Sequence, residues 1–144
     1  MSTHSKRYFS PAKINLFLSI TEKRPDGFHN LASLFQAVSL GDWLTFTPSQ
    51  EDQVECNEPS IPLDENNLVC QALTVFRKKT GNKQPFHIKI EKNIPHQAGL
   101  GGANSNAATT LWALNELTKS QMTPFELFEC SKEWIDLTEI IVIE

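Results

Sequence analysis

The stretch Ile94-Pro-His-Gln-Ala-Gly-Leu-Gly-Gly-Ala-Asn-Ser-Asn-Ala-Ala108 constrains this chain more than any other, because Gly99, Gly101 and Gly102 run straight into small, helix-compatible residues. Glycine takes positive φ without strain and lets a ligand approach the backbone with no Cβ in the way. A helix that starts directly after such a turn offers unpaired N–H groups and the positive end of its dipole. That combination is an anion site, and the usual anion is phosphate. Asn104 or Ser105 is the expected N-cap, with the alternative that the Ser105 hydroxyl faces a phosphate oxygen or Mg²⁺. Two other phosphate loops are excluded. A P-loop needs Gly-Lys-Ser/Thr at the helix start, and no lysine follows Gly102 until Lys119. A dinucleotide fingerprint needs a strand feeding directly into the glycines, whereas Pro95, His96 and Gln97 intervene here.

Glycine turns before helices also occur for tightness alone, so the rest of the chain has to decide. Ser10–Ile20 reads as a strand, with Ile14, Leu16, Leu18 and Ile20 on one face and Lys13, Asn15, Phe17 and Ser19 on the other. Taken alone, Lys13 and Asn15 fit a solvated edge. They do not stand alone. Pro11-Ala-Lys-Ile-Asn-Leu16, Arg24-Pro-Asp-Gly-Phe-His29 and the glycine loop follow one another in order. Over about Tyr8 to Phe128 the chain resembles the 4-diphosphocytidyl-2-C-methyl-D-erythritol kinases of the GHMP kinase superfamily.

The resemblance implies an α+β fold of the ribosomal protein S5 domain 2-like kind, a sheet covered by helices with a left-handed βαβ arrangement. It implies ATP-dependent phosphorylation of the 2-hydroxyl of 4-diphosphocytidyl-2-C-methyl-D-erythritol, on the methylerythritol phosphate route to isoprenoids, with ATP and Mg²⁺ as cofactors. Pro95, Gly99, Leu100, Gly101, Gly102, Ala103, Asn104 and Ser105 would then cradle the ATP phosphates, with Ser105 as the candidate Mg²⁺ contact. Asn67 and Leu68 would border the adenine. Lys13 would stand by the acceptor hydroxyl and γ-phosphate, and Asn15 would hold the substrate's polar tail. His29 would read the cytosine edge and Phe28 pack on the pyrimidine.

The chain departs from the family pattern in two places. Ala103 and Asn104 stand where the family has glycine and serine, which strains the loop only if position 103 has positive φ. The candidate base, Asp136, lies at roughly the family's distance from the loop but lacks the glycine, valine, proline and phenylalanine that accompany it there. The resulting expectation is a shortened product: a disordered leader at 1–7, an N-terminal GHMP domain at 8–133, an atypical tail at 134–144, and no C-terminal domain. Its rivals are a non-catalytic nucleotide-binding remnant and an S5-like RNA-binding module.

Composition narrows these choices. A length of 144 residues suits one domain with a real core. A net charge of −4, with Arg77-Lys78-Lys79 the only basic run, disfavours nucleic acid. Cys56, Cys70 and Cys130 are odd in number and widely spaced, so reduced thiols and a cytoplasmic location are expected. His4, His29, His87 and His96 lack metal-ligand spacing. The polar Met1–Arg7 is no signal peptide, and no apolar run approaches the ~20 residues of a membrane span.

Pattern and punctuation then predict the elements. The first strand covers Lys13–Ile20 and the second Ala32–Val38, and a third, Trp43–Thr47, follows a break at Gly41-Asp42. A short strand is expected at Gln53–Cys56. A helix opened by Asp64 or Asn66 buries Leu68, Ala72, Val75 and Phe76 and ends at Gly81. A strand with Phe86, Ile88 and Ile90 inward precedes the loop, and the loop helix reaches about Leu117 with Trp112 read as core. Thr123-Pro-Phe-Glu126 reads as a capping box opening a helix to about Glu133, with Met122 and Leu127 as its staple. Ile140–Ile143 is a β-prone, apolar end that needs a core to capture it.

Overall fold

The computed structural model describes residues 4–23, 25, 29–96, 98–131 and 140–143, with 15–23, 29–35 and 140–143 as backbone. In chain order these form β1 (Lys6–Lys23), β2 (His29–Pro48), β3 (Gln53–Cys56), α1 (Leu68–Thr80), β4 (Phe86–Glu91), α2 (Gly102–Thr118), α3 (Pro124–Ser131) and β5 (Ile140–Ile143). The sheet runs β1-β2-β4-β3. β1 and β2 form an antiparallel hairpin, and β4 lies antiparallel to the far half of β2. β3 is parallel to β4, and β5 pairs in parallel with Ser33–Gln36 of β2. The α+β expectation holds.

Alternation decides which sheet face is covered. Leu44 and Phe46 of β2 stand opposite Ile90 and Ile88 of β4, and all four are buried. Phe86 meets Phe46 edge-on with ring centroids 6.3 Å apart, and Tyr8 does so from β1 at 5.7 Å. Onto this face α1 brings Val69, Ala72, Leu73 and Phe76, and α2 brings Ala107, Leu111 and Leu114. The i, i+3, i+4, i+7 spacing of the α1 set is what makes one apolar stripe. Asn67 caps α1 by accepting from the Val69 N–H, and Gly81 ends it in the left-handed region. At α3 the expected capping box forms. The Thr123 hydroxyl accepts from the Glu126 N–H, and the Glu126 carboxylate accepts from the Thr123 N–H.

Four expectations are corrected. The first strand starts at Lys6, within the stretch read as a leader, because Lys6–Pro11 pair with Phe46–Gly41 of β2. Gly41-Asp42 does not break β2, which is continuous through both residues. Gly41 is a packing glycine: a Cβ there would sit 2.4 Å from the Phe9 ring and 2.7 Å from the Ser10 carbonyl oxygen. Ile14 is 40% exposed rather than core, although it shares its alternation with the buried Ser10 and Ala12, and it lies beyond the register shift between Pro11 and Lys13. Trp112 is 54% exposed, on the side of α2 away from Leu111 and Leu114. The side chains of Leu16, Leu18 and Ile20 lie outside the described residues. β5 pairs Ile140–Ile143 with β2, so backbone partners do capture that segment.

Candidate functional site

The loop between β4 and α2 is where the sequence-predicted residues converge. Gly99 and Gly101 have φ of 75° and 68°, values that ordinary side chains resist. Gly101 is itself the N-cap of α2, with no side-chain cap, and the first intrahelical bond is Ser105 N–H to Gly101 O at 2.9 Å. The helix thus starts earlier than an Asn104 or Ser105 cap would place it. The N–H groups of Gly102, Ala103 and Asn104 have no intrahelical acceptor, and no acidic residue occupies the first turn. Ala103 is helical with φ outside the positive region, so alanine in place of the family glycine carries no backbone strain.

A cavity of about 300 Å³ opens onto these groups. Its wall includes Pro95, Gly99, Leu100, Gly101, Gly102, Ala103 and Asn104, and from the start of α1 it takes Asn67 and Leu68. Nine residues expected to hold nucleotide therefore share one cleft. Ser105 is the exception: its hydroxyl lies 2.9 Å from that of Ser10. A Cβ at Gly102 would lie 3.1 Å from Ile94 Cγ2 and 3.2 Å from Lys92 Nζ, so the cradle has no room for a side chain there. An anion fits this arrangement: unpaired N–H groups, a helix dipole and a nearby ammonium.

Lys13 reaches the loop from β1. Its backbone N–H donates to Leu100 O at 2.9 Å, and its stem lies against Gly101, where a Cβ would be 3.0 Å from Cγ. Strand and loop, far apart in sequence, are thus locked together. Asn15 pairs with Phe35 two positions further along β1, and His29 pairs with Lys23 at the other end of the hairpin. The side chains of Asn15 and His29, and all of Phe28 and Asp136, lie outside the described residues.

Sequence reading missed the polar network beneath the loop. Asp42 is fully buried. Its Oδ1 accepts from the Asn93 and Ile94 N–H groups at 2.6 and 2.8 Å, and its Oδ2 accepts from Lys92 Nζ at 2.5 Å and Asn106 Nδ2 at 2.9 Å. Asn106 also donates to Ser10 Oγ at 2.9 Å and accepts from Lys92 Nζ at 3.1 Å. Burial pushes the Asp42 carboxyl up, but the bonds from Lys92, Ile94, Asn106 and Asn93 together outweigh it and hold it below its ordinary range. The available signal was an acidic residue inside an alternating strand, which is costly unless paired.

A carboxylate whose folded pKa is depressed stabilises the fold above its unfolded pKa, and that contribution is lost as pH falls through the folded value. Unfolding free energy should therefore drop more steeply between about pH 5 and about pH 2 in the wild type than in Asp42→Asn. Chemical denaturation at several pH values measures it, and parallel curves would show that Asp42 carries no such linkage.

Comparison with known proteins now bears on this geometry. Residues 67–135 match the family model for the GHMP kinases N terminal domain. That segment is similar to a GHMP kinase N-terminal domain. Over 132 residues the chain is 51% identical to the 4-diphosphocytidyl-2-C-methyl-D-erythritol kinase of Protochlamydia amoebophila (strain UWE25), covering 92% of this chain and 46% of that protein. It is 52% identical over 128 residues to the chloroplastic/chromoplastic enzyme of that name from Solanum lycopersicum, covering 87% of this chain and 32% of that one. A crystal structure of 4-(cytidine 5'-diphospho)-2C-methyl-D-erythritol kinase superposes with a TM-score of 0.73 at 34% identity, over 89% of this chain and 45% of that one. The chain thus spans less than half the length of each. The GHMP domain match includes Asn67, Leu68 and the whole glycine loop, while β1 and Lys13 lie outside it. No helix among the described residues is long and apolar enough to cross a membrane.

Proposed function

We propose that this chain supplies the ATP-binding part of a kinase that transfers the γ-phosphate of ATP to the 2-hydroxyl of 4-diphosphocytidyl-2-C-methyl-D-erythritol. The observation that carries the reading is the meeting of Lys13 with the glycine loop beside a cleft of nucleotide-cradling shape. Identity near one half to proteins named for that activity supports the substrate.

In this reading the phosphates lie on the α2 N-terminus, where the N–H groups of Gly102, Ala103 and Asn104 neutralise them. Asn67 and Leu68 line the same cleft from the start of α1, on the adenine side. Lys13 contributes a fixed cation where negative charge develops, which is the main demand of phosphoryl transfer. Asn15, Phe28 and His29 serve the acceptor, and Asp136 is the candidate base. Mg²⁺, when bound, would supply charge neutralisation for the phosphates. Ser105, the candidate hydroxyl contact, would have to leave its 2.9 Å pairing with Ser10 and turn into the cleft to reach the ion.

Transfer of labelled γ-phosphate from ATP, with Mg²⁺, tests the assignment. In a version extended to the relatives' length the cytidylated substrate should be labelled, while homoserine and mevalonate should not. ATP binding without transfer to any acceptor would favour the non-catalytic remnant. Absence of ATP binding together with salt-dependent retention of RNA would favour the S5-like module.

A further inference from the structure

We propose that Asp42 is a positioning residue for the phosphate loop, holding both of its ends and the Lys92 ammonium in one fixed arrangement. The proposal rests on the ATP-site reading above and adds to it a residue on a strand that lines no part of the cleft.

The loop leaves β4 at Lys92–Ile94 and enters α2 at Gly102, one turn before Asn106. Asp42 Oδ1 takes the N–H groups of the leaving end, and Oδ2 takes the Asn106 amide of the entering end. Asn93 Nδ2 returns a bond to Gly41 O at 3.1 Å, fastening the same end to the strand that carries Asp42. One carboxylate thus sets the span of the loop. The same Oδ2 takes Lys92 Nζ, whose side chain is 9% exposed and lines the cleft beside Gly102. With the carboxylate in place the ammonium is neutralised and immobile. Without it, the cation keeps only Asn106 Oδ1 and loses its counter-charge, and two backbone donors are left buried and unpaired.

The polarity of the network is forced. A carboxylate only accepts, so Asn106 must turn its NH₂ toward Asp42 and its carbonyl toward Lys92. This suggests an exchange variant. In Asp42→Asn alone, the new NH₂ faces two donors. In Asp42→Asn combined with Asn106→Asp, the new Asn Oδ1 keeps the two backbone bonds and its NH₂ donates to the new carboxylate. Lys92 retains an ion-pair partner, and the Ser10 hydroxyl reverses from acceptor to donor.

The full chain is compared in three forms: wild type, Asp42→Asn, and the exchange variant. Amide hydrogen exchange is measured without nucleotide, and ATP affinity by calorimetry. In Asp42→Asn, loop amides from Gly99 to Ser105 should exchange about tenfold faster while those of β4 and α1 keep their rates, and ATP should bind about tenfold more weakly. The exchange variant should recover at least part of both losses. Faster exchange spread evenly over the core, or loop exchange and ATP affinity that do not change in Asp42→Asn, would overturn the proposal. A wild-type chain that fails to bind ATP would refute the nucleotide reading, while loop exchange would still decide the role of Asp42.

Discussion

Gly101→Val is expected to abolish ATP binding, weakening it by about 100-fold or more. Gly101 sits at φ 68°, a region that a β-branched residue enters only with strain, and any Cβ there would lie 3.0 and 3.1 Å from Cγ and Cε of Lys13. Valine would therefore push the loop, the start of α2 and the Lys13 side chain apart together. A control separates this from simple loss of stability. Gly81 has φ 72° at the end of α1, with nothing within 4 Å of its Cβ position. Gly81→Val should carry comparable backbone strain and leave ATP affinity unchanged. Calorimetric titration of both variants decides the matter: equal affinities would reduce the glycine loop to a turn.

Lys13→Ala is expected to lower kcat for phosphoryl transfer by about 10²–10³-fold, the range seen when one preorganised stabiliser of developing charge is removed. The melting temperature should move little, because the anchor between β1 and the loop is the Lys13 backbone N–H, which alanine keeps. Initial rates at saturating ATP check the first part and thermal unfolding the second. A variant that keeps its kcat would remove Lys13 from the chemistry. One that loses rate only in proportion to its folded fraction would make the residue structural.

Strong periodicity made much of the fold legible. Phe86, Ile88 and Ile90 alternate inward, Gly81 ends α1, and Thr123 and Glu126 cap α3 as their types require, whereas α1 is capped by Asn67 and not by the expected Asp64 or Asn66. What failed was local chemistry overridden at a distance. Gly41-Asp42 carries the composition of a turn, but its glycine makes room for Phe9 and its aspartate is satisfied by residues about fifty positions away. Ile14 shares its alternation with buried Ala12 yet is exposed beyond a register shift, which periodicity over a short window does not reveal. At the site, the glycine loop was readable because positive φ and backbone room demand glycine. Its supporting carboxylate was not, because Asp42, Lys92 and Asn106 come together only in three dimensions.

The strand order has a consequence for how the molecule comes into being. Along the chain β3 precedes β4, yet in the sheet β4 lies between β2 and β3. Until β4 arrives, β3 has no neighbour and the Trp43–Pro48 edge of β2 is unpaired, so the sheet cannot grow strand by strand in the order of synthesis. One segment of 6 residues completes both edges. That segment leads directly into Lys92–Ile94, the part of the chain that Asp42 grips, so closing the sheet and assembling the phosphate cradle are the same event. A half-folded chain therefore holds no half-built nucleotide site. A ligand of the proposed nucleotide site would bind the finished sheet alone and, by mass action, shift the chain toward its folded state.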